Sequence, residues 1–382
     1  METFSFAIPQ NIVVGKGSLS KLPELAKKLG KSKALIISGP HLSKIGLVVQ
    51  CMKALEEAGI LSEAFTQTEG NPSTETVEKA TKVYKESGAD FIVAFGGGSP
   101  LDVAKAVAVL ATYGGDITSY EGGGKVPGEV VPMIAIPTTA GTGSEVTAFS
   151  VITDHSRHYK LTVVSPYLLP SYAILDPSLI TTVPTKTAAA CGVDAMVHAL
   201  EAYLSLAASP FSDMFALKAL ELIGENIRAY VANRKNEKAA EGMLLGSLFA
   251  GIAFSHARLG NVHAMSHPVS AYFDVAHGVA NAILLPTVVA YNELADQGKY
   301  YDIYKCIAKC PVEKTSFYSW MLTEELQTLL DELSIPATLK EVGVKAELFD
   351  KMAEDAMKSG NILVNPRSTT KEDIIMLYQK AF

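Results

Sequence analysis

Apolar residues in the first half of the chain form short continuous runs that alternate with longer segments of helical periodicity. Continuous runs predict buried strands, and apolar positions three and four residues apart predict helices. The predicted strands lie at 33–38, 91–95 and 130–136, and the predicted helices at 46–58 and 101–111. Strands that alternate with helices are typical of βαβ units, so the pattern predicts an α/β domain with a mostly parallel sheet.

The pattern changes near Pro184, where long apolar-periodic segments rich in Ala and Leu replace the strands. High helix propensity and few strand signals predict an all-helical region. Its predicted helices cover 186–206, 210–231, 237–256, 259–271, 278–293, 322–334 and 371–382. Because proline ends or kinks a helix, we expect Pro286 and Pro336 to mark helix ends. We therefore expect an α/β domain over 1–184 and a helical domain over 185–382.

A glycine-rich segment, GGGSPLD at 96–102, joins a predicted strand to the helix that follows it. We expect Ser99 to cap this helix, with Pro100 at its first position and Asp102 at its third. The free N–H groups of a helix start bind a pyrophosphate well. The spacing is not the usual G-x-G-x-x-G fingerprint, and an ordinary capped turn is the alternative interpretation.

A second loop of similar character, PTTAGTGSEVT at 137–147, also follows a predicted strand. It carries hydroxyls at Thr138, Thr139, Thr142 and Ser144, which suit a ribose or phosphate; a solvated polar loop is the alternative. Ligands of open α/β sheets bind at the carboxyl ends of the strands, where both loops should lie. Together the two loops predict a nucleotide ligand.

The residue after the first predicted strand bears on which nucleotide binds. An acidic side chain near this position usually binds the 2′-hydroxyl of NAD. Here the segment 37–40 reads Ile-Ser-Gly-Pro, and Gly39 stands where an acid would be expected. The absence of an acidic side chain removes repulsion against a 2′-phosphate, so we expect NADP to be accepted in addition to NAD.

Five polar residues in the helical half are candidate metal ligands. Asp194 and His198 are four residues apart, as are His263 and His267, and His277 follows later. Residues i and i+4 share one helix face, so two such pairs and a further imidazole can enclose a divalent ion. A carboxylate with several imidazoles suits Fe²⁺ or Zn²⁺ and does not suit Ca²⁺ or Mg²⁺. At most four of the five should bind the ion, which leaves one for chemistry.

Composition narrows the function classes. The chain has 382 residues, a net charge of −7 and no block of like charge, which argues against nucleic acid and anionic membranes as partners. The first residues show neither a signal peptide nor a transmembrane run. Four cysteines in so long a chain are typical of reduced thiols, so we expect a cytoplasmic protein.

A metal ion together with a dinucleotide suggests hydride transfer, in which the ion polarises an alcohol or carbonyl oxygen. An unligated histidine close to the ion can relay the proton. A zinc-dependent polyol or glycerol-type dehydrogenase remains an alternative. A metallohydrolase whose loops hold a substrate phosphate is another, and a non-catalytic metal-binding protein is the least favoured because it needs neither loop.

Four motifs together closely resemble the iron-containing (group III) alcohol dehydrogenase family. They are GGGSPLDVAKA, PTTAGTGSEVT, DAMVHALEAY and GNVHAMSHPVSAYFDVAHGVANAILLP, and the resemblance extends over essentially the whole chain. It implies an N-terminal dinucleotide-binding α/β domain and an all-α C-terminal domain, the dehydroquinate synthase-like or iron alcohol dehydrogenase fold. It also implies short-chain alcohols, diols or aldehydes as substrates, Fe²⁺ or Zn²⁺ with NAD or NADP as cofactors, and a homodimer or larger homo-oligomer.

The resemblance also implies roles for individual residues. The family's metal ligands match Asp194, His198, His263 and His277, and the additional histidine near the nicotinamide and substrate matches His267. The cofactor positions match Asn71, Gly97, Gly98, Ser99, Thr138, Thr139, Thr142, Ser144 and Lys160. Many NAD-preferring members carry Asp at the position of Gly39, and this departure puts a strict NAD preference in doubt.

Overall fold

The computed structural model describes residues 4–8 and 10–382, which form nine strands and fourteen α-helices. The strands are β1 (Asn11–Val14), β2 (Lys33–Ile37), β3 (Leu61–Phe65), β4 (Phe91–Gly96), β5 (Gly122–Gly123), β6 (Met133–Pro137), β7 (Phe149–Asp154), β8 (Tyr159–Val164) and β9 (Tyr172–Leu175). The helices are α1 (Leu22–Lys28), α2 (Pro40–Lys44), α3 (Leu47–Glu57), α4 (Thr74–Ser87), α5 (Gly98–Tyr113), α6 (Thr185–Leu204), α7 (Pro210–Ala232), α8 (Glu237–Ala257), α9 (Asn261–Phe273), α10 (His277–Asn292), α11 (Lys299–Ile307), α12 (Trp320–Glu332), α13 (Phe349–Met357) and α14 (Lys371–Lys380).

Two compact units make up the chain. One contains residues 10–139 and 143–182 together with Ile8, and the other contains residues 4–7, 140–142 and 183–382. The first unit holds all the named strands, and the second is helical, so we call them the α/β unit and the helical unit. The predicted α/β and all-helical fold classes are confirmed.

The α/β unit is built on a six-stranded parallel sheet in the order β1-β9-β6-β4-β2-β3. All six residues of β4 are buried, as expected for a central strand covered on both faces. Ile92 and Ala94 join the hydrophobic core on one face, while Val93 and Phe95 join the core on the other. The continuous apolar run that predicted this strand therefore reflects burial of both faces.

The carboxyl ends of neighbouring strands bring the predicted cofactor segments to one edge of this sheet. β4 and β6 pair in parallel so that Gly96 stands opposite Pro137, and the two glycine-bearing loops begin there. β2 pairs with β4 on its other side and ends at Ile37, two residues before Gly39. The expected common edge is therefore present.

A smaller sheet in the order β5-β8-β7 also belongs to the α/β unit and was not predicted. β7 and β8 form an antiparallel hairpin, and His158 in its turn has a positive φ of 49°. The hairpin has the alternating pattern of half-buried strands, with buried Ser150, Ile152 and Leu161 on one face. Because polar residues interrupt both strands, continuous apolar runs did not predict this hairpin.

The helical unit contains α6 to α14, and no described residue after β9 forms a strand. Pro336 follows the end of α12, as expected, but Pro286 lies inside α10, so the prediction that it ends a helix is wrong. Burial of the apolar residues around Pro286 outweighs the roughly 3 kcal/mol that an internal proline costs.

No single helix in the described part of the chain is long and apolar enough to cross a membrane. The pair α8 and α9, bent by 104° at the break between them, passes the same test by length and composition only.

Candidate active site

The first cofactor loop turns sharply between β4 and α5. Gly96 has a φ of +158°, and a Cβ there would lie 2.6 Å from the ring of Pro100, so only glycine fits. α5 begins at Gly98 with Gly97 as its N-cap, and the prediction that Ser99 is the cap is wrong. The hydroxyl of Ser99 instead donates to the Gly70 carbonyl oxygen at 2.7 Å.

The helix starts earlier than predicted, which changes the places of Pro100 and Asp102. Pro100 is the third helical residue, where its missing N–H is one of the four that have no partner within the helix. Asp102 is the fifth and is half-buried, and its carboxylate accepts from the Ser144 hydroxyl at 2.7 Å and the Val151 N–H at 3.2 Å. Burial raises the pKa of Asp102. The α5 terminus nevertheless leaves its first N–H groups at the sheet edge.

The second cofactor loop is tied to the first. The Thr138 N–H donates to the Gly96 carbonyl oxygen at 2.8 Å, and a Cβ on Gly97 would lie 3.2 Å from the Thr139 hydroxyl. Thr142 belongs to the helical unit, whereas Ser144 belongs to the α/β unit. The predicted hydroxyls of Thr138, Thr139 and Ser144 therefore surround the strand ends of the α/β unit.

Sequence analysis missed a buried lysine beneath this loop. Lys105 has no exposed surface, and its Nζ donates to the carbonyl and hydroxyl oxygens of Ser144 and of Thr147 at 2.7–3.0 Å. A fifth bond joins Nζ to the Phe149 carbonyl oxygen at 2.8 Å. Burial lowers the pKa of Lys105 to about 8. A lysine three residues after Asp102 on an otherwise apolar helix was the available signal.

The remaining cofactor candidates lie elsewhere in the α/β unit. Lys160 on β8 donates from Nζ to the Asn71 side-chain oxygen at 2.8 Å, which brings these two predicted residues together. Gly39 is the N-cap of the short helix α2 and has an extended backbone with φ −98°. A Cβ there would lie 3.4 Å from the Thr68 carbonyl oxygen, an ordinary contact, so Gly39 leaves space that a side chain can fill.

Three predicted metal ligands converge inside the helical unit. One donor atom each of Asp194, His263 and His277 lies within 4.8 Å of the others. The Asp194 Oδ1 is 3.7 Å from the His263 Nε2, 3.8 Å from the His277 Nε2 and 3.9 Å from the His198 Nε2. A tetrahedral ion with bonds of about 2.1 Å separates its donors by about 3.4 Å. The distances from the Asp194 Oδ1 to the three histidines exceed this separation by about 0.3–0.5 Å, while His198 lies outside the group whose donor atoms are all within 4.8 Å of one another.

The helices explain this convergence. Asp194 and His198 lie one turn apart on α6, His263 lies on α9, and His277 is the first residue of α10. A Cβ on Gly278 would overlap the Ala190 carbonyl oxygen, so the glycine lets α10 start directly against α6. The i,i+4 spacing seen in the sequence thus becomes one face of α6 turned towards two other helices.

The contacts of Asn281 indicate whether this group of side chains can hold a cation. Its amide Nδ2 lies 2.6 Å from the Asp194 Oδ1, 3.1 Å from the His263 Nε2 and 3.2 Å from the His277 Nε2. One carboxylate oxygen and two imidazole nitrogens therefore meet at one small region, and the Asn281 Oδ1 is buried without a hydrogen-bond partner among the described residues. Nitrogen and oxygen donors converging on a buried point suit Fe²⁺ or Zn²⁺.

Electrostatics inside the group favour a cation as well. Burial would raise the pKa of Asp194, but His198 and the other histidines outweigh it and hold this pKa well below its usual value. Burial lowers the pKa of His198 to about 4. Burial would also lower the pKa of His263, but hydrogen bonds to Asp194 and Glu201 outweigh it and raise this pKa to about 9, so a metal ion must displace the proton from its Nε2. The Asp194 carboxylate therefore favours a positive charge beside it, which a protonated His263 or a metal ion provides.

The fifth candidate, His267, lies outside the convergent donors. Its ring centroid is 5.3 Å from that of His277 and 6.3 Å from that of His263, and it is half-buried, as His277 is. His267 is not part of the group formed by Asp194, His263 and His277, and its role in the chemistry stays a prediction.

Sequence analysis missed two further residues of the group, Glu201 and Asn281. Glu201 lies seven residues after Asp194 and three after His198, and Asn281 lies four after His277, so helical spacing was the signal in both cases. The Glu201 carboxylate is 2.6 Å from the His263 Nδ1. Neither residue stood out, because a Glu or Asn near a helix end is common on its own.

Sequence comparison identifies the family. The model of the family "Iron-containing alcohol dehydrogenase" matches residues 9–177, and that of "Fe-containing alcohol dehydrogenase family, C-terminal" matches residues 188–382. The helical metal group and the nucleotide-binding loops define a metal- and nicotinamide-dependent oxidoreductase. The chain belongs to the iron-containing alcohol dehydrogenase family and is an enzyme of alcohol and aldehyde oxidoreduction.

Several relatives support the assignment over the full length. The 1,3-propanediol dehydrogenase of Citrobacter freundii is 39% identical, with 99% of each chain covered. The lactaldehyde reductase of Escherichia coli (strain K12) is 37% identical, covering 96% of this chain and 97% of the relative. The structure of an alcohol dehydrogenase from Oenococcus oeni matches with a TM-score of 0.95 at 35% identity, and both chains are fully covered.

Proposed function

We propose that this enzyme interconverts short-chain primary alcohols or diols and their aldehydes, using NAD or NADP as the hydride carrier. Asp194, His198, His263 and His277 hold one divalent iron. The observation that carries the proposal is the convergence of three histidine nitrogens around Asp194, at 3.7–3.9 Å from its Oδ1. Relatives named 1,3-propanediol dehydrogenase and lactaldehyde reductase support the substrate class.

The chemistry can be divided among the chain's own residues. When bound, the iron supplies a Lewis acid for the alcohol or aldehyde oxygen. The Asp194 carboxylate contributes the negative charge that holds the cation, and the imidazoles contribute neutral nitrogen donors. Burial of Asp194, His198 and His263 keeps bulk water from competing for them. The half-buried His267 accepts the proton released when an alcohol is oxidised and returns it when an aldehyde is reduced.

The nucleotide side rests on the α/β unit. The N–H groups that begin α5 at Gly98, together with the hydroxyls of Ser99, Thr138 and Thr139, bind the pyrophosphate and ribose. The loop that carries Ser144 is held in place by the five hydrogen bonds of Lys105. These fixed donors position the cofactor without reorganisation during the reaction.

Two further cofactor contacts are proposed. The Lys160 ammonium, joined to Asn71, supplies positive charge to the cofactor. Gly39 presents no side chain at the carboxyl end of β2, so a 2′-phosphate meets no acidic group there, and NADPH is accepted along with NADH.

We also propose a cytoplasmic homo-oligomer. Among the described residues, which include all four cysteines, none forms a disulfide, as expected in a reducing compartment. A dimer is the simplest closed assembly for a soluble homo-oligomer. Analytical ultracentrifugation of the purified enzyme tests this; a single species at the mass of one chain would contradict it.

The reaction class is tested by absorbance at 340 nm. Anaerobic protein supplied with Fe²⁺ is mixed with NADH or NADPH and each member of a panel of short aldehydes, including lactaldehyde and 3-hydroxypropanal. We expect aldehyde-dependent loss of absorbance that disappears after chelation and returns with Fe²⁺. Absence of a signal with every aldehyde would contradict the proposal and favour a hydrolytic use of the metal.

A further inference from the structure

We infer that Glu201 is a positioning residue of the metal centre, acting through His263. Its carboxylate holds the proton of this imidazole on Nδ1, so that the Nε2 lone pair remains directed at the metal. The inference rests on the proposed assignment of His263 as a ligand, and it adds a residue that is not among the proposed ligands.

The first observation is the placement of the His263 ring between two carboxylates of α6. The Glu201 Oε2 lies 2.6 Å from Nδ1, and the Asp194 Oδ1 lies 3.7 Å from Nε2 on the other side. His263 is 1% exposed and Glu201 is 5% exposed, so water does not compete for either bond. An ionised carboxylate only accepts hydrogen bonds, and Nδ1 must therefore carry the proton.

The consequence for the metal follows from the tautomer. A neutral imidazole has one N–H and one lone pair, so a proton fixed on Nδ1 leaves the lone pair on Nε2. That atom is the one that faces Asp194 and His277. A carboxylate behind the ring also increases the basicity of the metal-facing nitrogen. Glu201 therefore influences the metal without touching it.

The second observation is that both oxygens of Glu201 are occupied by consecutive residues. Oε1 accepts from the Val262 N–H at 2.6 Å while Oε2 contacts His263. The Val262 N–H is one of those at the start of α9 that have no partner within the helix. Gly260 leaves room for this arrangement, since a Cβ there would come 3.0 Å from Oε1. The carboxylate is thus fixed in orientation relative to the ring.

Because both oxygens of Glu201 accept hydrogen bonds, glutamine cannot replace it. Glutamine has the same shape but offers one acceptor oxygen and one NH₂ donor. If the glutamine oxygen accepts from the Val262 N–H, the glutamine NH₂ donates to the His263 Nδ1, and the imidazole proton moves to the metal-facing Nε2. If the oxygen accepts from the His263 Nδ1–H instead, the NH₂ lies against the Val262 N–H, where two donors face each other and the start of α9 is disturbed. Either outcome weakens the ligand.

The test is metal retention by the intact enzyme loaded with Zn²⁺ and equilibrated against graded concentrations of a chelator. The variants are Glu201→Gln, His263→Ala and the double variant, with unfolding in urea recorded for each. We expect Glu201→Gln to weaken Zn²⁺ binding about 10- to 100-fold. Because Glu201 acts through His263, the double variant should bind no more weakly than His263→Ala alone.

Asp302→Asn is the matched control. Asp302 also accepts a hydrogen bond from a residue of α6, the Tyr203 hydroxyl at 2.9 Å, but it contacts no proposed ligand. We expect this variant to retain Zn²⁺ as the unmodified enzyme does. If Glu201→Gln does not fold, Glu201→Asp is measured instead, since the shorter acid keeps the charge but cannot reach both partners; its retention should fall as well.

The outcomes separate this inference from the proposed function. Zn²⁺ affinity of the folded Glu201 variant within twofold of the unmodified enzyme overturns the inference, as does an additive loss in the double variant. Unchanged metal retention by His263→Ala would instead overturn the ligand assignment on which the proposed function stands.

Discussion

Among the described residues, each unit of the enzyme contains a buried cluster of charged side chains, and these two clusters differ in how their charges are balanced. In the α/β unit the cation is part of the chain, because the Lys105 ammonium is enclosed by five oxygen atoms. In the helical unit Asp194, His263 and His277 meet at one point, where the amide of Asn281 donates to Asp194 and no described lysine or arginine takes part.

The difference distinguishes a structural cluster from a binding site. Buried polar groups are normally paired, since an unpaired group costs about 1–3 kcal/mol. The Lys105 ammonium is fully paired within the chain and serves to hold the Ser144 loop, although the Oε1 of the neighbouring Glu145 has no hydrogen-bond partner among the described residues. In the Asp194 cluster the donor atoms of three residues meet where an external cation can pair them. A metal ion therefore pairs the buried polar groups of the helical unit, in addition to its role in the reaction.

The largest expected effect comes from removing a donor from the incomplete cluster. His277→Ala should lose the bound metal, and kcat should fall on the order of 10³-fold or more because several kcal/mol of Lewis-acid stabilisation disappear. Iron content per chain and NAD(P)H-linked turnover measure this. His256→Ala is the control, since His256 packs on Phe6 at a ring distance of 4.2 Å and is no candidate ligand. Stoichiometric metal in His277→Ala would refute its role as a ligand.

Removing the cation from the complete cluster should affect folding rather than metal binding. Lys105→Met leaves buried oxygens without their donor and should lower the free energy of unfolding by about 3–5 kcal/mol, as measured in urea. Lys85→Met, at an exposed position on α4, should change it by less than about 0.5 kcal/mol. Iron content of the folded Lys105→Met protein should be unchanged, and a parallel loss of iron would break the distinction between the clusters.

The pH dependence of the free energy of unfolding tests whether the pKa of Lys105 is depressed in the folded enzyme. The folded pKa of Lys105, about 8, lies below its usual 10.5, so the unfolded state binds more protons between these values. The free energy of unfolding should therefore rise, relative to that of Lys105→Met, as the pH increases from 8 towards 10.5. A difference that stays flat or falls over this range would argue against a depressed pKa.

A smaller effect is expected beside the metal cluster, at His267. His267→Ala should retain iron but lower kcat about 10²-fold, because a proton relay is lost while the ligands remain. Metal analysis and the pH profile of kcat are measured together. Loss of iron from this variant would make His267 a ligand, and an unaltered pH profile with full turnover would remove it from the proton path.

The smallest expected change lies in the α/β unit, far along the chain from either cluster. Gly39→Asp should shift the ratio of kcat/KM for NADPH over NADH about tenfold towards NADH, through repulsion of the 2′-phosphate. The backbone at Gly39 accepts any residue. Gly39→Asn is the uncharged control of equal size; an equal shift in both variants would show that bulk rather than charge decides the preference.

The sequence predicted those features that depend on regular periodicity. The buried strands β2, β4 and β6 follow from continuous apolar runs, whereas the helices from α6 to α10 and the i,i+4 pair Asp194 and His198 follow from helical spacing. The parallel sheet then places both glycine-bearing loops at one edge without further information.

Features that depend on contacts between distant residues could not be predicted in the same way. Glu201 matters because His263, sixty-two residues later, lies against it, and Lys105 matters because Ser144 lies above it. Pro286 fails to end α10 because tertiary packing outweighs a local preference. Ser99 does not cap α5, because the helix begins two residues earlier than predicted and Gly97 is its N-cap.

The central claim is that the Asp194 cluster needs one cation to work. The most direct measurement is anaerobic titration of the chelator-treated enzyme with Fe²⁺ while aldehyde-dependent oxidation of NADPH is followed at 340 nm. Activity should be absent at first, rise linearly and reach its plateau at one Fe²⁺ per chain. Full turnover before any metal is added, or a rise that ignores this stoichiometry, would contradict the account.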